Sequence, residues 1–496
     1  MSPPWLAAMT IQTVPASLAD RAARGVLWTG AGQVLRQLIQ VGSSVILVRL
    51  LVPGDFGLIG MAMFFVGIGQ LLADFGVGSA IVQARSDDRI VLSSCFWLNL
   101  AVAVLLAAIL LGCGPLIGSF YKRSDLVPIV AALSLNLLLS GLQVVPSALL
   151  YRDMRFADLA RAQVLGSLTG ALAAIALAWV GLGVWALVAQ PLFGSTAYLL
   201  ACTLSQRWYP RFEFSWTKVA PLARFSAALL GTNVLGYMNR NADSLLVGRV
   251  LGAGPLGYYS MAIQLMLYPL QQVSSVIVRV LFPTLVQIKD DLPRLRAAYL
   301  KAVACIALIT FPIMGGLFAL ADDFVLVVFG HEWVEMVPLL KVLAWVGMMQ
   351  SVGTTVGTIY LSTGNPGVAL RVTLIGAPVL IGGMAAGLPW GILGVAVGYA
   401  IASFSFFYYT AVTSFRVIAL ELADFHRSLV RPLGATLAMV GVLVTAVAST
   451  QALAAVYRLS LGVILGVVSY IVFSLVMNRA QLAELLSIVR LLRRKR

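Results

Sequence analysis

Two arginines, Arg36 and Arg240, stand inside apolar stretches long enough to cross a bilayer. A charge at the centre of a membrane helix costs about 2.5–3.5 kcal/mol on insertion scales, so such residues mostly line a wet cavity or pair with a partner. A guanidinium keeps its charge when buried, and its planar fork offers paired donors that fit phosphate oxygens. Gln33, Arg36, Gln37 and Gln40 follow one another at intervals of three, one and three, which puts them on one helical face. Asn233, Tyr237, Arg240 and Asn241 repeat the theme about 200 residues later. Such faces read as the lining of a substrate cavity or as a buried polar network. The cavity reading makes Arg36, Arg240, Gln33, Gln40 and Asn241 the candidate binding residues for an anionic head group.

Arg240 and Asp243 are three apart, a spacing at which they can pair, whereas Arg36 has no acid within a turn. Asp243 and Asp74 are the candidate sites for a coupling cation, Na+ or H+. Arg49 and Arg249 lie near helix ends, where snorkelling to the interface competes with a role as secondary anion contacts.

No catalytic residues are expected. His331 beside Glu332 has no evident cleft or further partner, both of which a general base needs. No GxxxxGK[ST] phosphate loop occurs, so nothing points to ATP as the driving ligand. Cys95, Cys113, Cys202 and Cys305 lack metal-type spacing and read as small packing residues. Neither metal nor cofactor is implied.

The elements that must hold these side chains follow from composition. The 496 residues are 60% hydrophobic and 11% charged, against roughly 25% charged in a soluble chain. Apolar runs of spanning length recur throughout, which predicts an all-α polytopic membrane protein of about fourteen helices and excludes a β-barrel. The net charge of +15 falls mainly in alternate loops, so topology accounts for it and no nucleic-acid partner is expected. The richer side holds Arg85, Arg89, Arg152, Arg155, Arg207, Arg211 and the Arg490–Arg496 tail. Both termini are therefore expected in the cytoplasm.

Positions 34–62 match 234–262 at nine of 29 residues without a gap, Arg49 with Arg249 and Gly57 with Gly257 among them. The chain thus reads as two like-oriented six-helix lobes, with a pseudo-two-fold axis along the membrane normal and a cavity between them. The expected organisation is a flexible cytoplasmic leader (1–24), an N-lobe of helices 1–6 (25–210), a C-lobe of helices 7–12 (211–420), and helices 13–14 with a basic tail (421–496).

Several motifs resemble a known family in order and spacing: VRLLVPGDFGLIGMAMFF, DFGVGSAIVQ, YRDMRFADLARAQV, LGVWALVAQ and DSLLVGRVLGAGPLGYYSMAIQLMLYP. The chain resembles the polysaccharide-transporter family, the Wzx-type flippases with their WzxC-like branch, within the superfamily that also holds multidrug exporters and the lipid II flippase. The resemblance implies a bacterial inner-membrane protein that moves undecaprenyl-diphosphate-linked oligosaccharide outward by alternating access, for exopolysaccharide, capsule or O-antigen assembly. It implies ion coupling and, in Arg36 and Arg240, contacts to the diphosphate. A polysaccharide polymerase and the export machinery are candidate partners. A cation-coupled multidrug exporter is the competing transporter reading, and it calls for acidic cavity residues. A membrane polysaccharide polymerase or ligase is the competing enzyme reading, and it calls for a sizeable outer domain.

Overall fold

The computed structural model describes residues 16–73, 81, 89–217, 234 and 236–479. It is an all-α membrane fold, as the apolar runs predict. Twelve helical stretches in it are long and apolar enough to cross a bilayer. One of these, 367–418, is two helices folded back on each other, and the expected seventh span (224–250) lies partly outside the described residues. The helices are α1 (Ala16–Leu50), α2 (Pro53–Ala73), α3 (Arg89–Tyr121), α4 (Leu126–Arg152), α5 (Phe156–Trp179) and α6 (Val184–Gln206). After these come α7 (Ala242–Val250), α8 (Ala253–Pro269), α9 (Ser275–Gln287), α10 (Leu292–Ala319), α11 (Ala321–Val328) and α12 (Met336–Gly353). The rest are α13 (Val356–Ser362), α14 (Pro366–Gly387), α15 (Gly391–Ile418), α16 (Leu422–Ser449) and α17 (Ala455–Met477). Two compact units emerge: residues 1–51 with 62–238, and residues 52–61 with 239–496.

In the first unit the joints are as tight as their sequences require. Between α5 and α6, Gly181 (φ 81°) and Gly183 (φ 54°) adopt left-handed backbone, which a side chain would strain. The amides of Gly181 and Leu182 close the end of α5 onto the Ala178 and Leu177 carbonyls. The two helices then run side by side, and small residues set their separation. A Cβ added to Gly166 would lie 2.8 Å from the Gly194 carbonyl oxygen, and one on Gly170 would lie 2.5 Å from that of Gln190. This is small-residue packing of the kind that lets helices associate where lipid removes the hydrophobic drive. α1 joins them through Gly32, where an added Cβ would come within 2.8 Å of the Ala160 Cβ. The chain after α6 is pinned to α3: Ser93 and Ser94 Oγ accept the Arg211 and Ser215 amides, and Phe212 stacks on Trp97 at 5.0 Å.

In the second unit the repeat becomes visible as geometry. Gly57 lies so close to Ala253, and Gly257 so close to Pro53, that a Cβ on either glycine would overlap the facing carbonyl. Positions 53 and 253 correspond under the 200-residue offset, as do 57 and 257, so the two contacts are one contact seen twice. The expected span 255–284 is one helical path carrying a π-helical turn at Leu270–Ser274, straight after Pro269. The expected span 337–361 divides at Thr354–Thr355 into α12 and α13. Proline's missing N–H accounts for the first irregularity. Around the second, Thr354 and Thr355 hydroxyls bond back to the Ser351 and Val352 carbonyls, a pattern that bends helices.

The interval between α10 and α12 is short and well packed. Trp333, fully buried, meets Phe56, Tyr258 and Phe329 edge-on. His331 beside it is exposed. Asp323 is buried and takes a forked salt bridge from Arg458 of α17, with Nε to Oδ1 at 3.0 Å. Lys341 pairs with Asp322 at 2.6 Å.

Candidate functional site

The first unit holds a polar cavity of about 430 Å³ whose wall is drawn from four helices. α1 supplies Arg36, Gln40 and Ser43; α4 supplies Gln143; α5 supplies Gln163 and Ser167; α6 supplies Gln190, Ser195 and Tyr198. The close α5–α6 crossing is what places the amides. Gln163 lies one turn before Gly166, and Gln190 one turn before Gly194, so both flank the point where the backbones touch. Arg36 is the one charged group in this wall. Its Nη2 donates to Gln33 Oε1 at 2.5 Å, which fixes the guanidinium from within its own helix. Gln33 itself is exposed and stands outside the lining.

A second cavity of about 620 Å³ shares Gln143, Ser195 and Tyr198 with the first and adds Gln70, Asn136, Ser140, Ser147 and Tyr237. Tyr237 is held there by donating to the Met63 carbonyl at 2.8 Å. No carboxylate lines either cavity. Within a membrane protein a neutral, amide-rich wall with a single guanidinium suits a polar or anionic ligand and disfavours a cation.

The remaining candidates fall in the second unit. Arg240 is exposed, at the end of a helical stretch that stops at Asn241. There the backbone leaves helical geometry (φ −119°, ψ 14°), and α7 begins one residue later. That break overturns the expected Arg240–Asp243 pairing: among the described residues no ion pair joins them, because they no longer occupy successive turns of one helix. Asp243 instead accepts the Ser244 amide on Oδ1 at 2.8 Å, in the first turn of α7. Tyr399 accepts from Gln350 Nε2 at 2.8 Å.

Arg49 and Arg249 occupy the last turns of α1 and α7, where a cation is favoured by the helix dipole. Each of them has a bonded or electrostatic partner. Asp74 lies outside the described residues. No cluster of three metal-binding side chains occurs among the described residues. An apolar cavity of about 530 Å³ is lined by residues of α8, α10, α11, α16 and α17, Leu265 and Ile471 among them.

Sequence reading alone passed over Gln143, Gln163 and Gln190. Each is an uncharged amide in an otherwise apolar span, a weaker signal than an arginine but still a costly one to bury.

The comparisons with known proteins bear on this arrangement. A family model described as "Polysaccharide biosynthesis protein" matches residues 46–338. The chain is 27% identical to the lipopolysaccharide biosynthesis protein WzxC of Escherichia coli (strain K12) over 396 residues, 78% of this chain and 79% of that one. It is 28% identical to the teichuronic acid biosynthesis protein TuaB of Bacillus subtilis (strain 168) over 464 residues, covering 92% and 95% of the two chains. In fold it resembles the lipid II flippase MurJ in an inward closed conformation, with a TM-score of 0.72 at 14% identity over 92% of this chain and 100% of that one. With the family model running through more than half of its length, this chain belongs to the polysaccharide biosynthesis protein family.

Proposed function

We propose that the protein is a flippase for lipid-linked oligosaccharide, carrying an undecaprenyl-diphosphate-linked repeat unit across the bacterial inner membrane by alternating access. The observation that carries this reading is Arg36, braced by Gln33, facing a cavity of neutral amides and hydroxyls without a carboxylate. Family membership, and the names WzxC and TuaB carry among the relatives, point the same way. The fold shared with MurJ supplies a scaffold on which such transport is done.

Arg36 and Arg240 offset the hydration that the diphosphate loses on entry, the glycan fills polar space, and the polyprenyl chain stays in apolar surroundings. The chain makes no covalent bond in this cycle. Both termini lie in the cytoplasm, and a polysaccharide polymerase and the export machinery receive the product. A drug exporter for cations would ask for acidic lining, which the two first-unit cavities lack.

The test is export of surface polysaccharide by the double variant Arg36→Ala/Arg240→Ala at matched protein level. A charge-assisted hydrogen bond is worth about 1.5–3 kcal/mol, so export falls at least tenfold. Undiminished export would remove both arginines from the site.

We take Asp243, in the first turn after the break at Asn241, as the seat of coupling to Na+ or H+, since interrupted helices are where transporters commonly hold ions. In proteoliposomes an imposed gradient of the coupling ion accelerates transport by the wild type and leaves Asp243→Asn unchanged. Equal acceleration of the two proteins under both gradients would move the coupling site elsewhere.

A further inference from the structure

The geometry points to a glycan-reading subsite in the first unit, formed by Gln143, Gln163 and Gln190 and distinct in role from the phosphate contact at Arg36. This rests on the flippase reading and extends it, from what class of lipid is carried to which groups discriminate among its sugars.

Three observations support it. Carboxamides from three consecutive membrane helices, α4, α5 and α6, converge on one wall. Gln143 Oε1 is buried without a partner. Deeper in, Asn136 is only 4% exposed, lines the adjoining cavity, and its Oδ1 is likewise unpartnered. Buried polar atoms left unmet cost about 1–3 kcal/mol each, so they are kept where water or a ligand meets them.

The ligand chemistry follows from what a carboxamide offers. It presents one acceptor and two donors side by side and carries no charge, which matches the neighbouring hydroxyls of a sugar ring, each both donor and acceptor. A phosphate would ask for cations in place of amides, and an apolar drug for apolar walls. Tyr198, shared by the two cavities, adds a ring face for the C–H face of a pyranose. The cavities, about 430 and 620 Å³, fall in the range of small-molecule sites. Arg36 lines the first of them, so a phosphate held there delivers the sugar bonded to it into the amide wall.

The experiment uses the full chain in nanodiscs with two probes, undecaprenyl diphosphate bearing a neutral trisaccharide and glycan-free undecaprenyl diphosphate. Wild type binds the glycosylated probe at least tenfold more tightly. Gln163→Met and Gln190→Met, which keep side-chain volume, each weaken it about 3- to 10-fold, the equivalent of one neutral hydrogen bond. They leave the glycan-free probe unchanged. Ser195→Ala, which adds no volume, shows the same selective loss and stands in should a methionine variant not fold. Arg36→Ala weakens both probes alike.

Equal wild-type affinity for the two probes, or glutamine variants that weaken both equally, would overturn the subsite and leave the flippase reading intact. Binding of neither probe would bring down the flippase reading itself.

Discussion

At the scale of single residues, the site depends on how one guanidinium is held. Arg36 Nη2 spends a bond on Gln33 within its own helix, so the fork reaches the cavity in a set orientation. Arg36→Lys keeps the charge and loses the paired donors. Transport by the lysine variant is therefore expected between wild type and Arg36→Ala, and a fluorescent lipid-linked glycan in proteoliposomes gives the ranking. Gln33→Ala leaves the charge and frees its orientation, so it is expected to cost less than either arginine replacement. Arg36 and Gln40 were legible in the sequence because a polar stripe at helical spacing is expensive in lipid. Gln163 and Gln190 were not, because they lie on separate helices that only the α5–α6 crossing brings together, and Gln143 joins them from α4. Asp243 shows the opposite limit. Its spacing from Arg240 invited a pair, and a backbone break at Asn241, a residue without the usual proline or glycine warning, removes it.

At the scale of elements, glycine decides where helices touch. Gly170 faces the Gln190 carbonyl closely enough that even Gly170→Ala must push α5 from α6. Overpacking of this kind costs typically about 1–3 kcal/mol. The expected result is a lower melting temperature in detergent together with weaker glycan binding, since the same crossing positions Gln163 and Gln190. Gly112 of α3 provides the control: an added Cβ there meets nothing within 4 Å. Gly112→Ala gains helix propensity of up to about 1 kcal/mol and leaves transport unchanged. Element boundaries were largely readable, since Gly181–Gly183 and Leu388–Gly391 end helices as left-handed glycines do. The π turn at Leu270–Ser274 and the split at Thr354–Thr355 were not, because hydropathy runs unbroken through both and only local hydrogen bonding distinguishes them.

At the scale of the whole molecule, duplication and charge placement together dictate which way the chain lies. An ungapped offset of 200 residues reappears as the reciprocal approach of Gly57 to Ala253 and of Gly257 to Pro53. Those contacts sit at the first turns of α2 and α8, so both helices start from the same side of the bilayer. The basic residues assign that side: Arg152 and Arg155 follow α4, and Lys289, Arg294 and Arg296 follow α9, whereas Asp322, Asp323, Glu332 and Glu335 follow α10. Positive charge is retained in the cytoplasm, so the starts of α2 and α8 are expected to face outward. In a variant whose four native cysteines are replaced by alanine, single cysteines at the exposed positions Ser124, Leu182 and Glu332 are then labelled by an impermeant maleimide in intact spheroplasts. Cysteines at Thr217 and Asp290, also exposed, are labelled only after lysis. The reverse pattern would invert the assigned direction of transport while leaving the fold and the Arg36 cavity as they stand.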